Sequence, residues 1–253
     1  MSGKGVPIRD IVEETFRLVG AAAEQDVPLR LLGGLAIRLH SSDRSIHPAL
    51  DRDLKDIDFV TPRGEDRRAA SFLESMGYEP NRTFNTMNSG RRALFYDVAN
   101  KRQLDLFVGA FEMCHAIPIA DRLDLEPVTI PLAELLLTKL QIVELNEKDQ
   151  RDILALVLEH EVGDRDVETI NSAHVARLCA ADWGLWRTCK LNIERAREAV
   201  NSYGLSPPER ALVSSRIEAL WSAIESEPKT RRWKLRDRLG DRVRWYEEPD
   251  ELG

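Results

Sequence analysis

Cysteine is scarce in this 253-residue chain: Cys114, Cys179 and Cys189 are odd in number, far apart and without a C-x-x-C pair. That excludes a disulfide framework and a thiolate zinc site, and a reducing compartment is the expectation. Long apolar runs are missing as well; none approaches the roughly 18 residues of a membrane span, so no membrane partner is expected. Asp10, Glu13 and Glu14 interrupt the N-terminal stretch before a signal-peptide core can form, which points to a cytoplasmic location. Excess positive charge is also absent. At a net charge of -7 the surface as a whole is not built to hold nucleic acid. With no internal repeat or low-complexity tract, what remains is a globular chain long enough for one large domain or two modest ones.

One local exception to the acidity stands out. Between Lys229 and Arg244, Lys and Arg outnumber Asp237 and Asp241, with Trp233 among them. This reads either as a solvated terminal helix tied down by Trp233 and Leu235, or as a surface for RNA.

The apolar pattern divides the chain into a front at 1–130, where helices and strands alternate, and a helical back at 131–253, an α+β arrangement. Ile8, Ile11, Val12, Thr15, Phe16, Val19 and Ala23 recur at helical spacing, predicting an amphipathic helix that ends near Asp26. "LRLL", Leu29 to Leu32, is a short buried strand that breaks at Gly33-Gly34 before the helical "LAIRLHSS". In "DIDFVT", alternation sets Asp56, Asp58 and Val60 on one face and Ile57 and Phe59 on the other. "EDRRAASFLESMG" is a helix closed by Gly77, and "RRALFYDV" with "RQLDLFV" reads as an antiparallel hairpin turning at Ala99-Asn100. In the back, "PLAELLLTKLQIVEL" is a helix with Pro131 at its first position. "SPPERALVSSRIEALWSAI" opens on a Ser206, Glu209 capping box, with Val213, Ile217, Leu220, Trp221 and Ile224 as its buried stripe.

Three features carry chemistry only as a set: a glycine pair opening a helix, a D-x-D on the next strand, and Asp105 inside a later apolar strand. Glycines let backbone amides approach a phosphate, which the helix N-terminus also favours, although a tight turn explains an isolated pair equally well. Asp56 and Asp58 suit either a solvated strand face, paired with Lys55 or Arg52, or a metal. Asp105 is harder to leave idle, because a buried carboxylate requires a cation or a donor. If its strand lies beside the D-x-D strand, three carboxylates converge into a hard-oxygen site suited to two Mg²⁺ ions, which clamp the attacking and leaving oxygens of a phosphoryl transfer.

"LLGGLAIRLH", "KDIDFV" and "QLDLFV" resemble the three motifs of the polymerase-β nucleotidyltransferase superfamily, over Val27 to His160. Within it the chain is most similar to bacterial aminoglycoside nucleotidyltransferases and to nucleotidyltransferase toxins of type IV toxin–antitoxin systems, where the glycine pair is likewise followed by an alanine, here Ala36. It departs from the wider superfamily in carrying Leu35 where a phosphate-binding Ser is common, and in a longer gap between Gly34 and Asp56. The resemblance implies a nucleotidyltransferase fold, a small mixed sheet flanked by helices with a helical region completing the cleft. It also implies an NTP such as ATP seated at Gly33 and Gly34, with Arg52 or Lys55 as the phosphate-facing base.

Lys139 falls on the apolar face of Leu132, Leu135, Leu136, Leu140 and Val143, and an inward lysine needs an anion. That anion is a triphosphate, as the resemblance to the toxin-like enzymes implies, or a carboxylate of the next helix; snorkelling to solvent is the third outcome. The K-D-x-x-D of the same enzymes has its counterpart in Lys148, Asp149 and Asp152, with helix capping the alternative for Asp149. His115 reads as structural, with proton transfer as the other possibility. The expected activity is transfer of a nucleotidyl group from an NTP to an acceptor hydroxyl, probed by the charge balance as a small molecule rather than RNA. Asp56 and Asp58 hold the metals and Asp105 assists as metal ligand and base. A noncatalytic nucleotide-binding or partner-binding protein of the same fold is the reading from a different class.

Overall fold

A computed structural model describes residues 5–248. They form two compact units, one drawn from 5–39, Asp53–Glu112 and Pro118–Ile130, the other from His40–Arg52, Met113–Ile117 and 131–248. Both units are discontinuous in sequence: segments 40–52 and 113–117 belong with the stretch that begins at Pro131.

The first unit is built on a five-stranded mixed sheet in the order β1-β2-β5-β4-β3, which makes the chain α+β. Its strands are β1 (Arg30–Leu32), β2 (Ile57–Thr61), β3 (Glu79–Pro80), β4 (Arg92–Asp97) and β5 (Arg102–Val108). The hairpin of β4 and β5 forms as its alternation predicts, with Arg92 opposite Phe107 and Asp97 opposite Arg102. β5 also pairs with β2 in parallel, placing Ile57 beside Leu104 and Phe59 beside Leu106. Because side chains alternate, these four share one face, and Asp58 and Val60 share the other with Asp105 and Phe107. Both faces are buried around the central strands, so β5 has no solvent side.

Helix α1 (Ile11–Glu24) starts later than the apolar period suggested, because Asp10 caps its N-terminus at Val12 and Glu13, and it ends close to Asp26 as expected. Its Glu14 is fully buried and is held by Arg17, the Tyr78 hydroxyl and the Ile8 amide. Helices α2 (Gly33–His40) and α3 (Asp66–Ser75) follow β1 and β2, and Gly77 closes α3 at φ 103°, a conformation that favours glycine. The short α4 (Arg82–Met87) lies in a stretch whose sequence suggested only extended runs; the Asn81 side chain caps it at Phe84.

In the second unit α5 (Leu132–Leu140) ends five residues before its apolar pattern does, and Pro131 is its N-cap rather than its first helical residue. The early stop has a side-chain cause. Buried Asn192 donates to the carbonyls of Leu140 and Ile142, at 2.9 and 2.6 Å, taking the place of a further helical turn. Helices α6 (Glu147–Glu159), α7 (Ser172–Ala181), α8 (Trp183–Ala199) and α9 (Pro207–Ser226) follow. A short parallel pair of segments, Glu161–Gly163 and Thr169–Asn171, is an addition the sequence did not signal. In α9 the Ser206 amide donates to Glu209 at 2.6 Å, and Val213, Ile217, Leu220 and Ile224 are buried, with Trp221 half-buried.

The basic segment is anchored by aromatic rings. Trp233 is buried on α10 (Arg231–Asp237), 5.0 Å from the Trp186 ring centroid, whereas Leu235 is 60% exposed and ties nothing down. Asp237 accepts from the Trp183 indole, and Asp241 takes both arms of Arg187.

His115 is buried, with Nε2 2.8 Å from the Thr188 hydroxyl, which also accepts from Trp245. Burial holds its pKa down to about 4, and burial next to His40 and Arg216 does the same for His160. An unfolded histidine titrates near 6.5. Between these values the unfolded chain binds more protons, so stability falls as the pH drops from about 6.5 towards 4. The expected slope approaches about 1.4 kcal/mol per pH unit for each ring. Urea unfolding at pH 7, 6 and 5 reads this, and His115→Gln should remove about half the slope; an unchanged slope would contradict the assignment.

Candidate active site

β1 runs antiparallel to β2 with Leu32 opposite Asp58, so the chain leaves β1 alongside the D-x-D strand. Gly33, the next residue, has φ 72° and starts α2. A Cβ built there would lie 2.2 Å from Asp58 Oδ2, so the carboxylate occupies the space a side chain would need. Only glycine meets both demands, the left-handed backbone and the close approach. Gly34 is buried within the same first turn. The strand–glycine–helix reading therefore holds, and the structure shows what the glycine admits: Asp58.

Asp58 and Asp105 are register partners on adjacent parallel strands, the adjacency on which the idea of a shared carboxylate site depended. The third acid is less closely joined. Asp56 precedes the first residue of β2 and is exposed, while Asp58 is half-buried and Asp105 buried. Among the described residues no group of three His, Cys, Asp or Glu side chains comes together at metal-binding range. The expected convergence of three carboxylates is thus not assembled.

Asp105 supplies the physical reason. Its Oδ1 accepts from Arg92 Nε at 2.7 Å and lies 2.7 Å from Arg92 Nη2, and its Oδ2 accepts from Gln103 Nε2 at 2.7 Å. Arg92 is itself braced, with its guanidinium carbon 5.1 Å from the Phe107 ring centroid and 5.5 Å from that of Phe84. The buried carboxylate did need a cation or donors, and it has found both on its own sheet. Neither Arg92 nor Gln103 was singled out from the sequence. The signal was available in the alternation, since Gln103 is two residues from Asp105 and the hairpin register puts Arg92 opposite Phe107 on the same face.

The donor set nevertheless suits magnesium in kind. It offers carboxylate oxygens alone, with two acids in register and Asp56 one alternation step earlier.

Lys55 is exposed and lines a pocket of about 760 Å³ with Ile8, Ile11, Leu54, Lys101 and Arg102, whose lining does not include Asp58 or Asp105. In the second unit Lys139 Nζ is 2.9 Å from Asp149 Oδ1 and 2.9 Å from Asp152 Oδ2, and Arg52 grips Asp152 with Nε and Nη2 at 2.8 and 2.6 Å. Of the outcomes open to Lys139, the structure realises the ion pair with the next helix. Burial alone would lower its pKa, but Asp152 and Asp149 outweigh burial and raise it. Burial pushes Asp152 up, and Lys139 with Arg52 brings it below the usual carboxylate value. Asp149 does not cap α6; Asn146 does, accepting from the Asp149 amide. Lys148 is exposed.

No family model and no curated protein matches the chain. Among solved structures it is similar to a solution structure of the antibiotic-resistance factor ANT(2'')-Ia, at 15% sequence identity and a TM-score of 0.35, over 85% of this chain and 94% of that one.

Proposed function

We propose that the chain is a magnesium-dependent nucleotidyltransferase, moving the nucleotidyl group of an NTP to an acceptor hydroxyl with release of pyrophosphate. The observation that carries this reading is the in-register pair Asp58 and Asp105 next to the glycine turn at Gly33. Asp56 and Asp58 would hold magnesium, with Asp105 completing the set. Bound there, magnesium supplies charge neutralisation for the triphosphate and for the oxygens entering and leaving phosphorus. The first-turn amides around Gly33 and Gly34 face the triphosphate and orient it. Asp105 accepts the proton of the acceptor hydroxyl as its oxygen attacks the α-phosphorus, and the bond to the pyrophosphate oxygen breaks.

An acceptor of small-molecule size is favoured by the chain's net charge of -7, which suits a cationic compound over a polyanion. RNA is the second reading, and one observation favours it. Arg231, Arg232, Lys234, Arg238 and Arg242 are exposed with no side-chain hydrogen bond or ion pair among the described residues, while both acids of that segment are taken by Trp183 and Arg187. One experiment addresses both. The protein is incubated with Mg²⁺, each α-labelled NTP in turn and either an RNA-free metabolite extract or total RNA. Label in the small-molecule fraction is the expected result, label on RNA selects the second reading, and no transfer from any NTP to either pool defeats both.

A further inference from the structure

We infer that Arg92 is a positioning residue that competes with the divalent cation for Asp105, so that metal enters fully only when the Arg92–Asp105 pair opens. The inference rests on the nucleotidyltransferase reading and deepens it.

Asp105 is 3% exposed, and both of its oxygens are engaged at 2.7 Å, Oδ1 by Arg92 and Oδ2 by Gln103. A carboxylate has lone pairs for more than two partners, so crowding of acceptor sites alone would not exclude a metal. Charge does. A guanidinium 2.7 Å from Oδ1 and a divalent cation on the same carboxylate would repel each other in a site with little water to screen them. Gln103 is a different kind of neighbour, because a neutral amide can remain on Oδ2 while a cation binds elsewhere on the carboxylate. Arg92 also has somewhere to go. It packs between Phe84 and Phe107, and both ring faces attract a cation after Asp105 is released, which lowers the penalty for opening the pair. The acid therefore has two states, paired with Arg92 or joined with Asp58 around metal. Its apparent metal affinity is the intrinsic affinity reduced by the fraction of molecules in which the pair is open.

The test reads metal binding directly. Mn²⁺ binding to the full chain is followed by electron paramagnetic resonance at pH 8 without nucleotide, and Mg²⁺ affinity by competition. Arg92→Gln keeps a donor near Asp105 and removes the charge; it should tighten Mn²⁺ binding about 10-fold, the gain expected if the pair is open about a tenth of the time in the native chain. Arg92→Lys, which keeps a charge, should stay within about 2-fold of the native protein, and Asp105→Asn should abolish the gain when combined with Arg92→Gln. If Arg92→Gln fails to fold by circular dichroism, Arg92→Met, which preserves contact with the two rings, replaces it. Metal binding of unchanged or weaker affinity in a folded Arg92 variant overturns the competition while leaving the enzyme reading in place. No Mn²⁺ binding by native or variant protein, even with NTP added, overturns both.

Discussion

Asp58→Asn is expected to lower nucleotidyl transfer by roughly 100- to 1,000-fold while the protein stays folded, a loss of the size that follows removal of one pre-organised group that stabilises transition-state charge. The expectation separates catalysis from packing because of the space around the residue. Asp58 Oδ2 sits where a side chain on Gly33 would be, so the volume at position 58 must be kept. Asparagine keeps it and deletes only the charge. The measurement is product formation from an α-labelled NTP at saturating Mg²⁺, beside a thermal melt. Activity within about 3-fold of the native protein would defeat the proposed role of the D-x-D. A lost melt would show instead that Asp58 acts as an anion at the first turn of α2 and not on a substrate.

The second large effect is on stability. Asp152→Ala removes the carboxylate shared by Lys139 and Arg52 and leaves two partly buried cations with Asp149 as the remaining acid. Removing one partner of a buried ion pair costs about 3–5 kcal/mol, since the partner's charge stays out of water, and Asp149 on Lys139 holds the loss towards the lower end of that range. Urea unfolding at pH 7 reads the loss as a lower midpoint at unchanged slope. The native contribution from Asp152 is present above the ordinary carboxylate range and is lost as the pH falls through its depressed value, so the difference between native and variant should narrow in acid. A shift below about 1 kcal/mol would mean that water reaches the cluster. NTP binding is measured on the same samples. Its survival in folded Lys139→Met would identify the cluster as a brace for α5 and α6, and its loss would return Lys139 to the triphosphate.

Much of this was readable from residue order, for reasons that differ by element. Alternation in "DIDFVT" and "RQLDLFV" identified two strands and their acid-bearing faces, because a period of two survives whatever the strands pair with. The glycine turn was readable because glycine adopts a left-handed backbone at the least cost, so a glycine pair after an apolar run marks a turn. What the order of residues does not display is register and long-range pairing. Arg92 reaches Asp105 only through the register of the hairpin, and Arg52 reaches Asp152 across 100 positions in the chain. The expectation for Asp105 was therefore right about its need and incomplete about its partner. The end of α5 was misread for a similar reason: Asn192, on a different helix, takes the carbonyls that a longer helix would have used.

β5 is hydrogen-bonded along both edges, to β2 on one side and β4 on the other. The pairing with β4 is local, across a short turn, whereas that with β2 closes the intervening stretch 62–101 and carries the entropy of that longer loop. Asp58 and Asp105 are neighbours only through this longer-range pairing, so a sheet opened between β2 and β5 holds no acid pair. Backbone amides in β5 should accordingly exchange with solvent at the slowest rates in their unit, by opening of the whole sheet. The acids inherit that protection: their spacing persists while loops and helix ends fluctuate, and it disappears only with the fold itself.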